Sequence, residues 1–250
     1  MIRYSIKKSS GFSLLELLIA SVLGLILLAG VISLFLGSRT TFTMQEQMAN
    51  VQTDGRFALM FLERHIENAG WIEGDFGGTI YAVDFDAAKT TDGGSGGNDS
   101  ITVSMEVPTG TQDCTGSTVT TSVMTNRFYL GGTDNTTLLC EGNGGGTAQP
   151  IVENVESFQL LYGVDTDANG VANHYLDATT VRNNGSALKV VSVQVALLIM
   201  SEDKTLQQKV SKTYDVLDQE VTRDDLRLRR VFRQTIFMPN QAYSLIPKQS

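Results

Sequence analysis

Glu16 is the residue whose position most needs a chemical explanation. It is the one charge between Lys8 and Arg39, and it stands at the start of the unbroken apolar run 17–37. An ionised side chain at bilayer depth costs at least ~2.5–3.5 kcal/mol at a helix centre and less near its end. A compensating cation is therefore expected. Gly11 and Phe12 suggest where it comes from. A cut after Gly11 would remove a basic leader carrying Arg3, Lys7 and Lys8, keep the helix, and create an amine on Phe12, four residues before Glu16. Within one chain that amine is poorly placed for Glu16. Between staggered neighbouring chains, each Glu16 can meet another chain's Phe12 amine. The sequence Ser13-Leu14-Leu15-Glu16 is also a capping box, in which Glu16 merely satisfies the helix start. A cap does not account for the basic leader and Gly11 as well. An ordinary secretory signal would be cut after the apolar run, at small residues, and Leu27-Leu28-Ala29 is a poor version of that because Leu stands at its first position.

A second constellation is Asp165-Thr166-Asp167-Ala168-Asn169-Gly170. Oxygen side chains on alternate residues, with Gly for the sharp turn, suit Ca²⁺, and Asp165, Asp167 and Asn169 would be the ligands. The bidentate Glu that completes such a loop is missing, since Leu176 stands there and Asp177 comes one residue late. A turn between two strands explains the same residues without a metal. No other cofactor is expected. Cys114 and Cys140 form no CxxC pair and have no His beside them, which speaks against a metal site. In an oxidising compartment they read as one disulfide closing a loop of about 27 residues, worth ~3–4 kcal/mol on the chain-entropy model. His65 and His174 are the only imidazoles. No nucleophile elbow, zinc-protease helix or phosphate-binding loop accompanies them, so no enzyme is expected.

These residues need elements to carry them. The run 17–37 offers about 20 apolar or small residues, enough to span a ~30 Å hydrocarbon core with the basic side left in the cytoplasm. Beyond it, 38–69 contains no proline, and Met44, Met48, Val51, Gly55, Leu59, Leu62, Ile66 and Ala69 recur at steps of three and four. That is one helical stripe, with Gln45, Gln52, Asp54, Glu63, Arg64 and Glu67 on the other face. The pattern predicts a single helix from about Phe12 to about Asn68, roughly 80 Å long, stopped by Gly70. From 79 onward the texture is β: strands are expected at 100–107, 117–130, 136–141, 151–164, 188–200, 205–216 and 230–237. Glycine-rich loops fall at 91–98 and 142–146, and the tail 239–250 has no strong pattern. Formal net charge is −8, and loss of the three leader cations takes it to −11. Such a chain is a poor partner for nucleic acid, whose binding rests on Lys and Arg contacts to phosphate. The basic stretch 223–233 alternates with Asp224, Asp225 and apolar residues, and reads as a solvated face.

Gly11-Phe12-Ser13-Leu14-Leu15-Glu16-Leu17-Leu18-Ile19-Ala20 resembles the class III signal of type IV pilins and type II secretion pseudopilins. The resemblance implies that a membrane prepilin peptidase cuts after Gly11 and methylates Phe12, and that Glu16 is the assembly carboxylate. Gly55-Arg56-Phe57-Ala58, Asn68-Ala69-Gly70-Trp71 and Leu27-Leu28-Ala29-Gly30-Val31 are similar to the PilW-type minor pilins. Major pilins commonly carry a proline in mid-run, where this chain has Ser33. PilW proteins often place a Cys after the Gly-aromatic pair, whereas Trp71-Ile72-Glu73-Gly74 has none, so no family disulfide pattern transfers.

The implied fold is α+β: a long N-terminal helix, half membrane-spanning and half amphipathic, packed on an antiparallel β-rich domain. Its parts would be a leader at 1–11, a membrane or filament-core half at 12–37, an amphipathic half at 38–70 and a periplasmic domain at 71–250. The implied function is a minor pilin that primes assembly and enters the pilus. Its partners would be the prepilin peptidase, other minor and major pilins, and the inner membrane before assembly. The alternatives are a type II secretion minor pseudopilin and a pilin-anchored adhesin or calcium-binding surface module.

Overall fold

A computed structural model of the chain describes residues 11–72 and 81–245, so the leader residues 1–10 lie outside the described part. Packing divides the chain into two units, Met1–Glu46 and Gln47–Ser250. Helix α1, Leu14–Glu67, begins in the first and ends in the second. Ser13 caps its start by accepting the Glu16 N–H on Oγ at 3.1 Å. Gly70, at φ +76°, ends it, because a left-handed residue cannot continue the helix and only glycine adopts that conformation without penalty. The Gly70 N–H then passes to the Ser104 carbonyl at 2.8 Å.

Within the second unit α1 buries Gln47, Val51, Gly55, Ala58, Leu62 and Ile66, with Ala69 just beyond its end. The steps are again three and four, but the stripe is turned from the expected one. Met44 is exposed, and Met48 and Leu59 lie at the margin. Small residues occupy the seam where the strands come closest. At Gly55 a methyl group would overlap the Phe232 ring.

The strands are β1 (Ser100–Glu106), β2 (Val123–Gly131), β3 (Thr137–Gly142), β4 (Gln149–Val152), β5 (Val155–Val164), β6 (His174–Leu176), β7 (Val190–Lys204), β8 (Val210–Val216), β9 (Gln219–Asp225) and β10 (Arg227–Phe237). Two short helices, α2 (Ala178–Asn183) and α3 (Pro239–Leu245), complete the set. Two antiparallel four-stranded sheets have the orders β1-β2-β3-β4 and β10-β7-β5-β6, and β8-β9 forms a separate hairpin. Residues from α1 and from both sheets meet in one core, including Leu62, Ile66, Ile101, Phe128, Phe158, Tyr162, Leu197 and Ile236. Each large apolar side chain buried there contributes about 1.5–3 kcal/mol.

β7 is buried on both faces, which explains why its alternation blurs at Leu198. One face, with Val193, Val195, Leu197 and Ile199, joins the helix-side core; the other, with Ala196 and Leu198, packs under the β8-β9 hairpin against Val216. An ion network fixes the hairpin in place. Arg229 is almost wholly buried and holds Glu156 through Nε at 2.5 Å and Asp225 through Nη1 at 2.6 Å, while Arg223 Nε reaches Glu156 at 2.6 Å. The guanidinium of Arg229 keeps the Asp225 carboxyl far below the usual carboxylate range.

Several expected boundaries move. The strand expected at 117–130 starts only at Val123, because Asp113 winds the preceding residues into a turn by accepting the Thr115 and Ser117 N–H groups. The strand expected at 205–216 starts at Val210, and the basic stretch 223–233 divides between β9 and β10. The tail is not patternless: Pro239 opens α3, with Pro tolerated where the first helical N–H has no partner. α2, capped by the Asp177 carboxylate on the Thr180 N–H, had no counterpart in the sequence reading.

Candidate functional site

The residues expected to carry chemistry lie at the exposed start of α1. Glu16 is the third helical residue, and its N–H donates to the Ser13 hydroxyl, the Ser half of a capping box. The Glu16 carboxylate forms no hydrogen bond among the described residues, and around it Phe12, Leu14, Leu15, Leu17 and Leu18 are all exposed. Gly11 has open space around its Cα, so nothing described hinders approach to the Gly11–Phe12 bond. α1 is the one helix among the described residues long and apolar enough to cross a membrane. Its hydroxyls are satisfied internally: Ser21 donates to the Leu18 carbonyl at 2.8 Å and Ser33 to the Ala29 carbonyl at 2.9 Å. No polar side chain other than Glu16 therefore needs a partner in the apolar run. The helix passes Ser33 without a break.

Cys114 and Cys140 are joined by a disulfide with Cα atoms 6.3 Å apart. It ties the loop after β1 to the buried face of β3. Asp113 beside it accepts from Thr115 N and Oγ1, Ser117 N and Gly144 N, the last at 2.7 Å. Burial alone would raise its carboxyl, but these donors outweigh that and hold it low.

The 165–170 segment is a closed turn. Asp165 is buried and accepts the N–H groups of Asp167 (3.1 Å) and Ala168 (2.8 Å) on Oδ1 and of Gly170 (2.7 Å) on Oδ2. Asn169 donates to Asp167 Oδ2 at 3.0 Å and accepts the Val171 N–H at 2.8 Å. Ala168 and Gly170 have positive φ, which the turn requires. Among the described residues no group of three or more His, Cys, Asp or Glu could hold a metal ion.

The two imidazoles lie on different elements. His65 on α1 donates Nδ1–H to the Phe61 carbonyl at 2.8 Å, and its ring packs 4.6 Å from Phe61 and 5.3 Å from Phe128, centroid to centroid. Burial lowers its pKa, so the ring is neutral and serves packing. His174 is exposed on β6. Neither meets a carboxylate or hydroxyl among the described residues. Asp99 and Arg229 carry no local signal, because the burial of Asp99 and the pairing of Arg229 with Glu156 depend on residues far away in the chain.

A family described as Type IV Pilus-assembly protein W matches residues 118–240, and the prokaryotic N-terminal methylation motif matches residues 6–32. No curated protein of established function matches the chain. Among solved structures, a type IV-like pilin, TTHA1219 from Thermus thermophilus, is similar at 14% identity and a TM-score of 0.46, over 79% of this chain and 96% of that one. The methylation motif implies processing by a prepilin peptidase and association with pilins. The match to the assembly protein falls on the β-rich part, beyond the helix that pilins and secretion pseudopilins share. The methylation motif at the start of the apolar helix and the PilW match over 118–240 together indicate a minor type IV pilin of the PilW type, and the helix with its motif fits a single-pass inner-membrane pilin later carried in the pilus.

Proposed function

We propose that the chain is cut after Gly11 and methylated on Phe12, and that Glu16 neutralises the Phe12 amine of an adjoining subunit as the chain enters the filament. The observation that carries this reading is the state of Glu16: exposed, inside an apolar surface, and with no hydrogen bond from its carboxylate back to the Ser13 N–H among the described residues. A carboxylate in that setting gains most from a cation delivered by a neighbour as both leave the bilayer. The β-rich domain then presents its surface to other minor and major pilins, so that this subunit primes assembly. Its role is structural: His65 and the buried carboxylates described above have packing or hydrogen-bonding tasks. Glu16→Ala should leave folding and leader removal intact while lowering the amount recovered in sheared surface filaments at least about tenfold, an effect of ~1.4 kcal/mol or more on incorporation. Recovery at the wild-type level would sink the charge-pair mechanism.

The 165–170 turn works without a cation on this reading, because Asp165 spends both oxygens on backbone N–H groups. Adding calcium to the purified protein should leave its melting temperature unchanged. A rise that saturates with calcium would show a bound ion.

A further inference from the structure

β10 ends its sheet, and its outer edge carries no strand. In the order β10-β7-β5-β6 it pairs with β7 alone. The alternation of an antiparallel ladder tells which of its backbone groups are spent. Met238 N–H, just past the strand, donates to the Val191 carbonyl at 2.9 Å, toward β7. The register from Arg229 to Phe237 runs without a shift, so residues 230, 232, 234 and 236 also turn their N–H and C=O groups to β7. Those of Val231, Arg233, Thr235 and Phe237 point the other way, out of the sheet. No hydrogen bond reaches them among the described residues. Arg233, Thr235 and Phe237 are also exposed. Such a row of unpaired groups is a template for another strand.

The charge of this edge limits what can add to it. Four arginines and no carboxylate stand in 227–237, in a chain of net charge −8. Arg229 is spent on Glu156 and Asp225, and Arg233 pairs with the exposed Asp215 at 2.8 Å. Arg230 is exposed, forms no ion pair among the described residues, and lies 5.7 Å from the centre of the Phe232 ring. Two copies joined through β10 would bring their arginines together, and like charges across a strand pair repel. A strand bearing carboxylates is favoured instead. It would face Arg230 in a non-hydrogen-bonded pair, where opposed side chains come closest. At Phe237 the edge runs into a cavity of about 820 Å³, lined by Trp71, Phe237, Pro239 and Tyr243, with all three aromatic rings exposed. Main-chain pairing along an edge, with a pocket for one side chain, is a general mode of recognising extended peptides.

We propose that β10 from Val231 to Phe237 is a docking edge for an extended, carboxylate-bearing segment of another protein. The segment adds as a further strand, sets an acidic side chain against Arg230, and seats a large apolar one in the cavity beside Phe237.

Hydrogen exchange on the full chain in detergent micelles, read amide by amide, tests this. The probe is a peptide as long as the open edge that alternates glutamate and valine and ends in tryptophan; its control carries lysine for glutamate. At ~1 mM the acidic peptide should slow exchange at Val231, Arg233, Thr235 and Phe237 at least about threefold, and the basic one should not. Thr235→Pro removes an outward N–H that β7 does not use, so slow exchange at 232, 234 and 236 should persist while the peptide's protection of 231, 233 and 237 is lost. Arg230→Glu should shift the preference toward the lysine peptide. No protection by the acidic peptide, equal protection by both, or protection that Thr235→Pro and Arg230→Glu leave unchanged overturns the proposal. Protection already present without peptide overturns it too, with a second copy as the occupant if that protection fades on dilution. The readout is strand pairing in the isolated protein, so a failure here is distinct from a failure of the Glu16 mechanism.

Discussion

Gly55 is where the tightness of the helix–sheet seam becomes a single-residue matter. A side chain of any size there runs into the Phe232 ring on β10. Gly55→Ala should therefore destabilise the protein by about 1–3 kcal/mol in urea denaturation, although alanine is the better helix former. Phe232→Leu in the same chain should recover part of the loss. Unchanged stability in Gly55→Ala would mean that the ring moves aside freely. The sequence places Gly55 on the packed stripe but gives no hint that a ring from residue 232 sets its size. The same limit applies to the rotation of the stripe from Met48 to Gln47 and from Leu59 to Ala58: hydrophobicity alone favours the larger residues, whereas close approach of the strands selects the smaller ones. Gln47 is tolerated because its amide reaches Asp203 at 3.2 Å.

At the scale of elements, the β8-β9 hairpin shows what local pattern cannot supply. Its turn passes through Leu217 at φ +59°, a residue that carries no turn signal, and β9 is largely polar and charged. Its docking rests on Arg229, Glu156, Asp225 and Arg223, drawn from three strands, and no short window of sequence shows them together. Removing one partner from a buried charge set leaves the others uncompensated. Glu156→Gln should cost about 3 kcal/mol and raise hydrogen exchange in β8 and β9 more than in the β1-β2-β3-β4 sheet. An equal rise in both would show that the network is not what holds the hairpin. The long helix, by contrast, was legible almost to its ends, since an unbroken apolar run, a proline-free amphipathic continuation and a terminal glycine are all local signals. α2 and α3 show no local signal because each is only six or seven residues long and is held by contacts to distant carbonyls, such as Arg182 to Phe85 and Gln241 to Leu188.

Across the whole molecule, the two units divide the labour along the sequence. Residues 17–37 keep an apolar exterior suited to lipid, and residues from 47 onward build a core stapled by Cys114–Cys140. The assembly chemistry proposed for Gly11, Phe12 and Glu16 could be read because they stand within six residues of one another, in a charge and apolar context that sequence displays directly. The burial of Asp99 could not, because it is made by a strand some sixty residues away. The central claim is that this subunit is cut after Gly11, methylated on Phe12 and carried into the filament. Mass spectrometry of the N-terminal peptide from sheared surface filaments tests it most directly. The account predicts a peptide that begins at Phe12 and carries one added methyl group. Filaments containing only chains that retain the leader, or processed chains confined to the membrane fraction, would contradict it.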